Sequence, residues 1–307
     1  MKNSKLKFGF LLLLISSVSF FNNGCSKDRI QEKSLNQYSD VNQYLDTKKQ
    51  EEQEFTIDTS GTGPIPGNQG TNIWIGKEIL MYPNGDSVTW PFTVKLVELY
   101  TPKDMIYYRM PTISAGKIME TGGEIRLRAF KNGTELVLRP NCSIPIEMPS
   151  AAPKNYMRVF YGVENATYVD WTDDLSSLGV SSVVNPVFTT NSVGYQNNIA
   201  RLGWLNCGFI AGTTTGHTLT FTSTTDNLAN VGIFIYFPTT KTVMQVYNGS
   251  SNIIPSGSSV KIIAIGYKST GELFSWSQNL TVTASDQFEV TMTSISDANL
   301  TALLDAF

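Results

Sequence analysis

The chain has 307 residues, 41% of them hydrophobic and 16% charged, with a formal net charge of −3. That length and apolar fraction support two hydrophobic cores, and the low charge suits a Thr/Ser/Asn-rich β-protein better than a helical one. An acidic chain without Lys/Arg clusters argues against nucleic acid or anionic lipid as a partner, and a single histidine excludes a multi-histidine metal hydrolase.

Residues 1–25 read as an export leader. Lys2, Lys5 and Lys7 form a basic start, an uncharged run follows from Phe8 to Phe21, and Gly24 precedes Cys25. The run is short for a bilayer span and ends at a small residue, as a cleaved signal does. It resembles the leader of bacterial lipoproteins, in which the cysteine at the cut takes a diacylglycerol thioether and becomes the first residue of the mature chain. The resemblance implies lipidation at Cys25 and membrane attachment through that lipid. Ser26, where an Asp would favour inner-membrane retention, points to the outer membrane. A signal cut elsewhere, leaving Cys25 an ordinary thiol, is the alternative. Without the leader, 23 basic residues become 20 against 26 acidic, a net charge of −6.

Residues 25–70 are polar, and Ser60-Gly61-Thr62-Gly63-Pro64 and Pro66-Gly67 break regular structure, which predicts a lipidated flexible tether. Val41, Tyr44 and Leu45 permit one helical turn, after which the apolar positions stop. Period two then takes over. Phe92, Val94 and Leu96 alternate with Thr93 and Lys95; Ile125, Leu127 and Ala129 alternate with Glu124, Arg126 and Arg128. Asn132-Gly133, ahead of Leu136 to Leu138, is a type I′ hairpin signal because both central positions need positive φ. Pro83-Asn84-Gly85-Asp86 marks another turn. Pro145 and Pro149 mark Ile144 to Met148 as an edge strand. These spacings predict a β-sandwich over residues 71–165.

Residues 166–195, rich in Asp, Ser and Asn, read as a connector. A second β pattern opens near Ile199 and predicts another sandwich over residues 196–307. Ser296 then caps Leu300, Leu303, Leu304 and Phe307, a short amphipathic helix at the C-terminus. The expected fold class is all-β: two tandem Ig-like β-sandwich domains after a signal peptide and tether.

Phe92 to Glu98, Thr101-Pro102-Lys103-Asp104-Met105, Glu120 to Glu124, Arg128-Ala129 and Asn132-Gly133 together resemble one family, the two-domain lipoproteins of the Bacteroidota. Their first domain is similar to the netrin-receptor/ankyrin type of β-sandwich. Leu202 to Cys207 resembles the start of their second domain, although Gly208 stands where an acidic residue is expected. The resemblance implies fold and location and carries no catalytic residues.

Few residues suggest chemistry. His217, between Gly216 and Thr218, reads as a solvated turn residue, and no G-x-S-x-G marks a nucleophile. Asp170, Asp173 and Asp174 around Trp171 form the one candidate for glycan or ion contact, although no Asp-x-Asp-x-Asp-Gly calcium loop is present. Arg126 and Arg128 beside Glu124 read as a solvated sheet face before an anion site. Ser87, in Asp86-Ser87-Val88, resembles an acceptor of O-glycosylation. In an oxidising compartment Cys142 and Cys207 are either packed thiols or a domain-linking disulfide. No catalytic residue, metal or cofactor is expected. The sequence therefore predicts a non-enzymatic, lipid-anchored envelope protein with a structural role or an envelope protein or glycan as partner. The alternatives are an accessory solute- or glycan-binding lipoprotein of an outer-membrane uptake system and a hydrolase with paired carboxylates in one pocket.

Overall fold

Alternation along an extended chain sorts side chains onto two faces, and strands whose faces are both apolar must be covered on both sides. The computed structural model describes residues 34–59, 63–165, 168–180 and 184–307, so the leader and Cys25 lie outside the described residues. The principal strands are β1 (Gln53–Ile57), β2 (Asn72–Ile73), β3 (Phe92–Leu99), β4 (Lys117–Lys131), β5 (Ile144–Pro149), β6 (Arg158–Glu164), β7 (Val169–Thr172) and β8 (Gly194–Ile199). They continue with β9 (Gly203–Ile210), β10 (Leu219–Thr222), β11 (Gly232–Phe237), β12 (Thr242–Val246), β13 (Ser258–Tyr267), β14 (Leu273–Val282), β15 (Asp286–Glu289) and β16 (Thr293–Ile295). Among the described residues three α-helices accompany them: α1 (Asn42–Thr47), α2 (Pro102–Tyr108) and α3 (Asp297–Asp305).

The fold is all-β with a short C-terminal helix. One sheet runs β1-β3-β4-β9-β6-β7 and faces a second, β8-β5-β2, which the short strands Thr189–Thr190 and Ile65–Pro66 extend at its two ends. Between them Val94, Leu96, Ile125, Leu127, Val159, Leu205 and Ile146 form the first core. In the second half, β12-β11-β13-β14-β16 faces the parallel pair β10-β15. Ile233, Ile235, Ile262, Ala264, Leu219 and Phe221 pack there.

A third core joins the two. Val97, Leu99, Met119, Phe160 and Trp204 on the outer face of the first sheet meet Phe234, Tyr236, Ile263 and Ile265 on the outer face of the second half. The three helices fill the space with Leu45, Met105, Ile106, Leu300 and Leu304. Local chemistry fixes two of them. Thr101 caps α2 by accepting the Asp104 amide at 3.1 Å, with Pro102 at the first turn, and Ser296 caps α3 through the Asn299 amide at 3.2 Å. Backbone bonds cross as well, from the Thr121 amide to Thr240 and from the Thr112 amide to Val243.

Three expectations change. The strands of the first sandwich do not stop at residue 165, because β7 and β9 complete its larger sheet and β8 completes the facing one. The segment read as a connector over residues 166–195 therefore holds part of that sandwich, and the strand read as opening the second domain is central in the first. Short edge strands such as β7, four residues long, leave little periodicity to detect. The expected tether is also shorter: residues 35–57 are built into the fold. Tyr38, Val41, Tyr44 and Leu45 are buried, β1 pairs with β3, and Asp226 accepts from Tyr38 Oη at 2.6 Å and Asn36 Nδ2 at 3.0 Å. Finally, Asn132 and Gly133 take the expected positive φ values, 52° and 78°, but the returning strand spans only Thr134–Glu135; Val137–Leu138 leaves to pair with Leu80–Met81.

At Cys207/Gly208 the β9–β4 register shifts. Gly123, opposite, has φ 132°, and a Cβ there would stand 2.3 Å from the Tyr100 ring. The bulge thus requires glycine.

The middle core couples the halves, so residues 35–307 should unfold in a single calorimetric transition, and Leu45→Ala should lower stability by about 2–5 kcal/mol. Two resolved transitions in the parent protein would show the halves to be independent.

Candidate functional site

The residues singled out from the sequence are dispersed. Trp171 is 2% exposed; its Nε1 donates to the Pro111 carbonyl at 2.7 Å inside the middle core, so its ring offers no face to a sugar. Asp170 Oδ1 accepts the Ala115 amide, Asp173 pairs with Arg158 at 2.8 Å, and Asp174 caps the turn at Ser176. Each carboxylate is engaged separately, and the expected glycan or ion site at these four residues is not formed. No group of His, Cys, Asp and Glu suited to a metal occurs among the described residues.

Cys142 and Cys207 are free, and both lie in the first half, so of the two readings the domain-linking bridge is not formed. Cys207 lies against Gly122, and burial pushes its thiol well above the ordinary range. Ser87 is exposed, as an acceptor of modification must be, and its Oγ accepts from Arg139 Nη2 at 2.9 Å. His217 is bound through its backbone to Ile254 in a single bridge.

The face bearing Glu124, Arg126 and Arg128 is not uniformly solvated. Glu124 is fully buried, with Oε1 accepting from Asn206 Nδ2 at 3.0 Å and Oε2 without a partner. Thr121 Oγ1 completes the group at 3.0 Å from Asn206 Oδ1. Burial with one neutral donor holds the Glu124 carboxyl well above the usual range, which favours the protonated form.

Two and four residues along β4 the same face opens. Arg126 lies over the Trp204 ring, 5.1 Å from its centroid, and Tyr108 meets Trp204 edge-on at 6.0 Å. Three adjoining open depressions, of about 470, 530 and 520 Å³, run across this part of the surface. The first and second share Arg201, and the second and third share Arg126 and Trp204. Five of the seven arginines in the sequence line them: Arg109, Arg126, Arg128, Arg139 and Arg201. With Lys49 they make six cations against three carboxylates, Glu52, Glu135 and Glu164, on a chain that is otherwise acidic.

These cations differ in what they already hold. Arg128 grips Glu135 through two bonds of 2.9 Å, and Arg109 lies 3.0 Å from Asp46. Arg126 makes one long contact with Glu52, 3.3 Å, and its Nε is buried without a partner. Arg201 has no carboxylate within ion-pair distance among the described residues and reaches only the Gly162 carbonyl at 3.4 Å. Arg201, with no carboxylate partner among the described residues, and Arg126, with one long carboxylate contact, stand at the junctions of the depressions, while Arg139, which donates to the Ser87 hydroxyl, lines the first alone. Sequence reading missed this groove because its residues come from the end of α2, β4, the loop before β5 and the β8–β9 turn.

Since the folded Glu124 carboxyl titrates above its unfolded value of 4.5, its contribution to stability is full below that value and is lost as pH rises through the folded one. Glu124→Gln, which mimics the protonated acid, should be the more stable protein at pH 8, with the advantage shrinking toward pH 5; chemical denaturation at both pH values measures it. Comparison with protein-family models, characterised proteins and solved structures gave no match.

Proposed function

We propose that this is a non-enzymatic envelope protein, lipid-anchored at Cys25 in the outer membrane, that works by contact with a protein or glycan through its arginine-lined groove. The observation that carries this reading is the groove itself: a continuous surface that concentrates cations on a net acidic chain and leaves Arg201 and Arg139 without a carboxylate partner among the described residues and Arg126 with one long contact. Surface fields of one sign on an opposite background attract and orient partners.

The early order of the chain sharpens the mechanism. Cys25 precedes Leu35 by ten residues, which reach at most about 35 Å when fully extended. An anchored body would be held close to the bilayer with a restricted search volume, and a short link raises the effective concentration of nearby partners. The accessory solute-binding reading uses the same groove and differs only in its neighbours.

Mass spectrometry of the native protein should find acyl chains on a mature N-terminus at Cys25. Gentle crosslinking should capture envelope partners with the native protein that Cys25→Ser fails to capture. An unmodified thiol, or identical captures from both proteins, would remove the anchor from the account.

A further inference from the structure

Resting on the contact reading above, we propose that the ligand of the groove is an anionic polysaccharide, whose carboxylates or sulfates pair with Arg126 and Arg201. Guanidinium groups match both anions with two parallel N–H bonds, and Arg keeps its charge at any physiological pH. A binding site for such a chain needs several cations on one continuous surface, and the shared lining of the three depressions supplies it. Arg126 and Arg128 are two residues apart on β4, about 6.7 Å along the strand and on one face. Arg201 enters from the turn before β9, the neighbouring strand, and Arg139 from the loop beyond Val137–Leu138.

The pairing pattern selects the ligand-facing groups. Arg128 is neutralised by its fork on Glu135, whereas Arg139 donates only to the Ser87 hydroxyl. Arg126 is held over the Trp204 ring, 5.1 Å from its centroid, which places it before any ligand arrives, and about a quarter of its side chain stays exposed. A guanidinium already oriented loses little freedom on pairing.

An acidic protein partner would want a different surface. Protein interfaces draw their energy from large apolar side chains that become fully desolvated at the centre of the patch. At the centre of this groove Trp204 is only 6% exposed, beneath Arg126. The free energy available is that of charged hydrogen bonds spread over one continuous surface, which suits a repeating, hydrated, charged chain.

Affinity electrophoresis of the full mature protein, with polygalacturonate, dextran sulfate or neutral dextran in the gel, tests this. Polygalacturonate or dextran sulfate should retard the protein, the stronger of the two naming the anion, and neutral dextran should not. Retardation should weaken steeply with added salt. Arg126→Gln and Arg201→Gln should each weaken it about tenfold, the loss of one charge-assisted bond, while Arg158→Gln, whose partner Asp173 lies elsewhere, should leave it unchanged. Equal retardation by neutral dextran, or undiminished retardation of both groove variants, overturns the anionic ligand. Absence of retardation in every gel, together with groove-dependent capture of an acidic protein in the crosslinking experiment, overturns the polysaccharide while leaving the contact reading standing.

Discussion

The structure depends on one packing constraint: two sheets that are apolar on both faces cannot be left with one face in water. The larger sheet of the first sandwich buries Val94 and Leu96 inward and Val97 and Leu99 outward. Sheet β12-β11-β13-β14-β16 does the same with Ile233 and Ile235 on one side and Phe234 and Tyr236 on the other. Joining the outer faces solves both problems at once. Neither sandwich is self-sufficient on that side, which is why α1, α2 and α3, although far apart in sequence, all lie where the faces meet. Tyr44 Oη donates to Asp297 at 2.8 Å and so ties α1 to α3.

Polar groups inside this arrangement are placed with care for their bonds. Glu98 is fully buried yet accepts the Thr71 and Gln69 amides and Gln53 Nε2 at 2.8–2.9 Å, fixing the loop before β2. Three donors thus satisfy its buried oxygens. Glu124 contrasts with it on the neighbouring strand. One amide donor does not offset its burial, which pushes the carboxyl well above its ordinary range. The same sheet thus keeps one carboxyl in a well-donated setting and another in a poorly donated one, only one of its faces reaching water, at Arg126 and Arg128.

What the sequence made legible followed from local rules. The alternating runs of β3, β4, β11 and β13, the Asn132-Gly133 turn and the Ser296 cap were all readable because residue type and spacing determine them within a few positions. The order of strands was not. Nothing around Trp204 says that β9 slots between β4 and β6, since that choice is made by partners some 80 residues upstream and 45 residues upstream. Val41, Tyr44 and Leu45 looked too few to matter because their worth lies in the far sheets they touch. Trp171 beside three acids looked like a sugar platform; its ring turns inward, and the acids each meet a separate need. The groove failed to show for the same reason as the strand order: Arg109 and Arg201 become neighbours of one surface only after folding.

The early chain packs into the second half before it joins the first sheet. Asn36 and Tyr38 hold Asp226 in the second half, Val41 and Leu45 sit in the shared core, and β1 then joins the first sheet. A pull applied ahead of residue 34 meets these three attachments in turn. The load reaches both halves through buried side chains, so mechanical resistance begins at the very start of the folded body. A protein moored by that end would transmit drag from its surroundings to its whole mass, with no slack strand to unzip first.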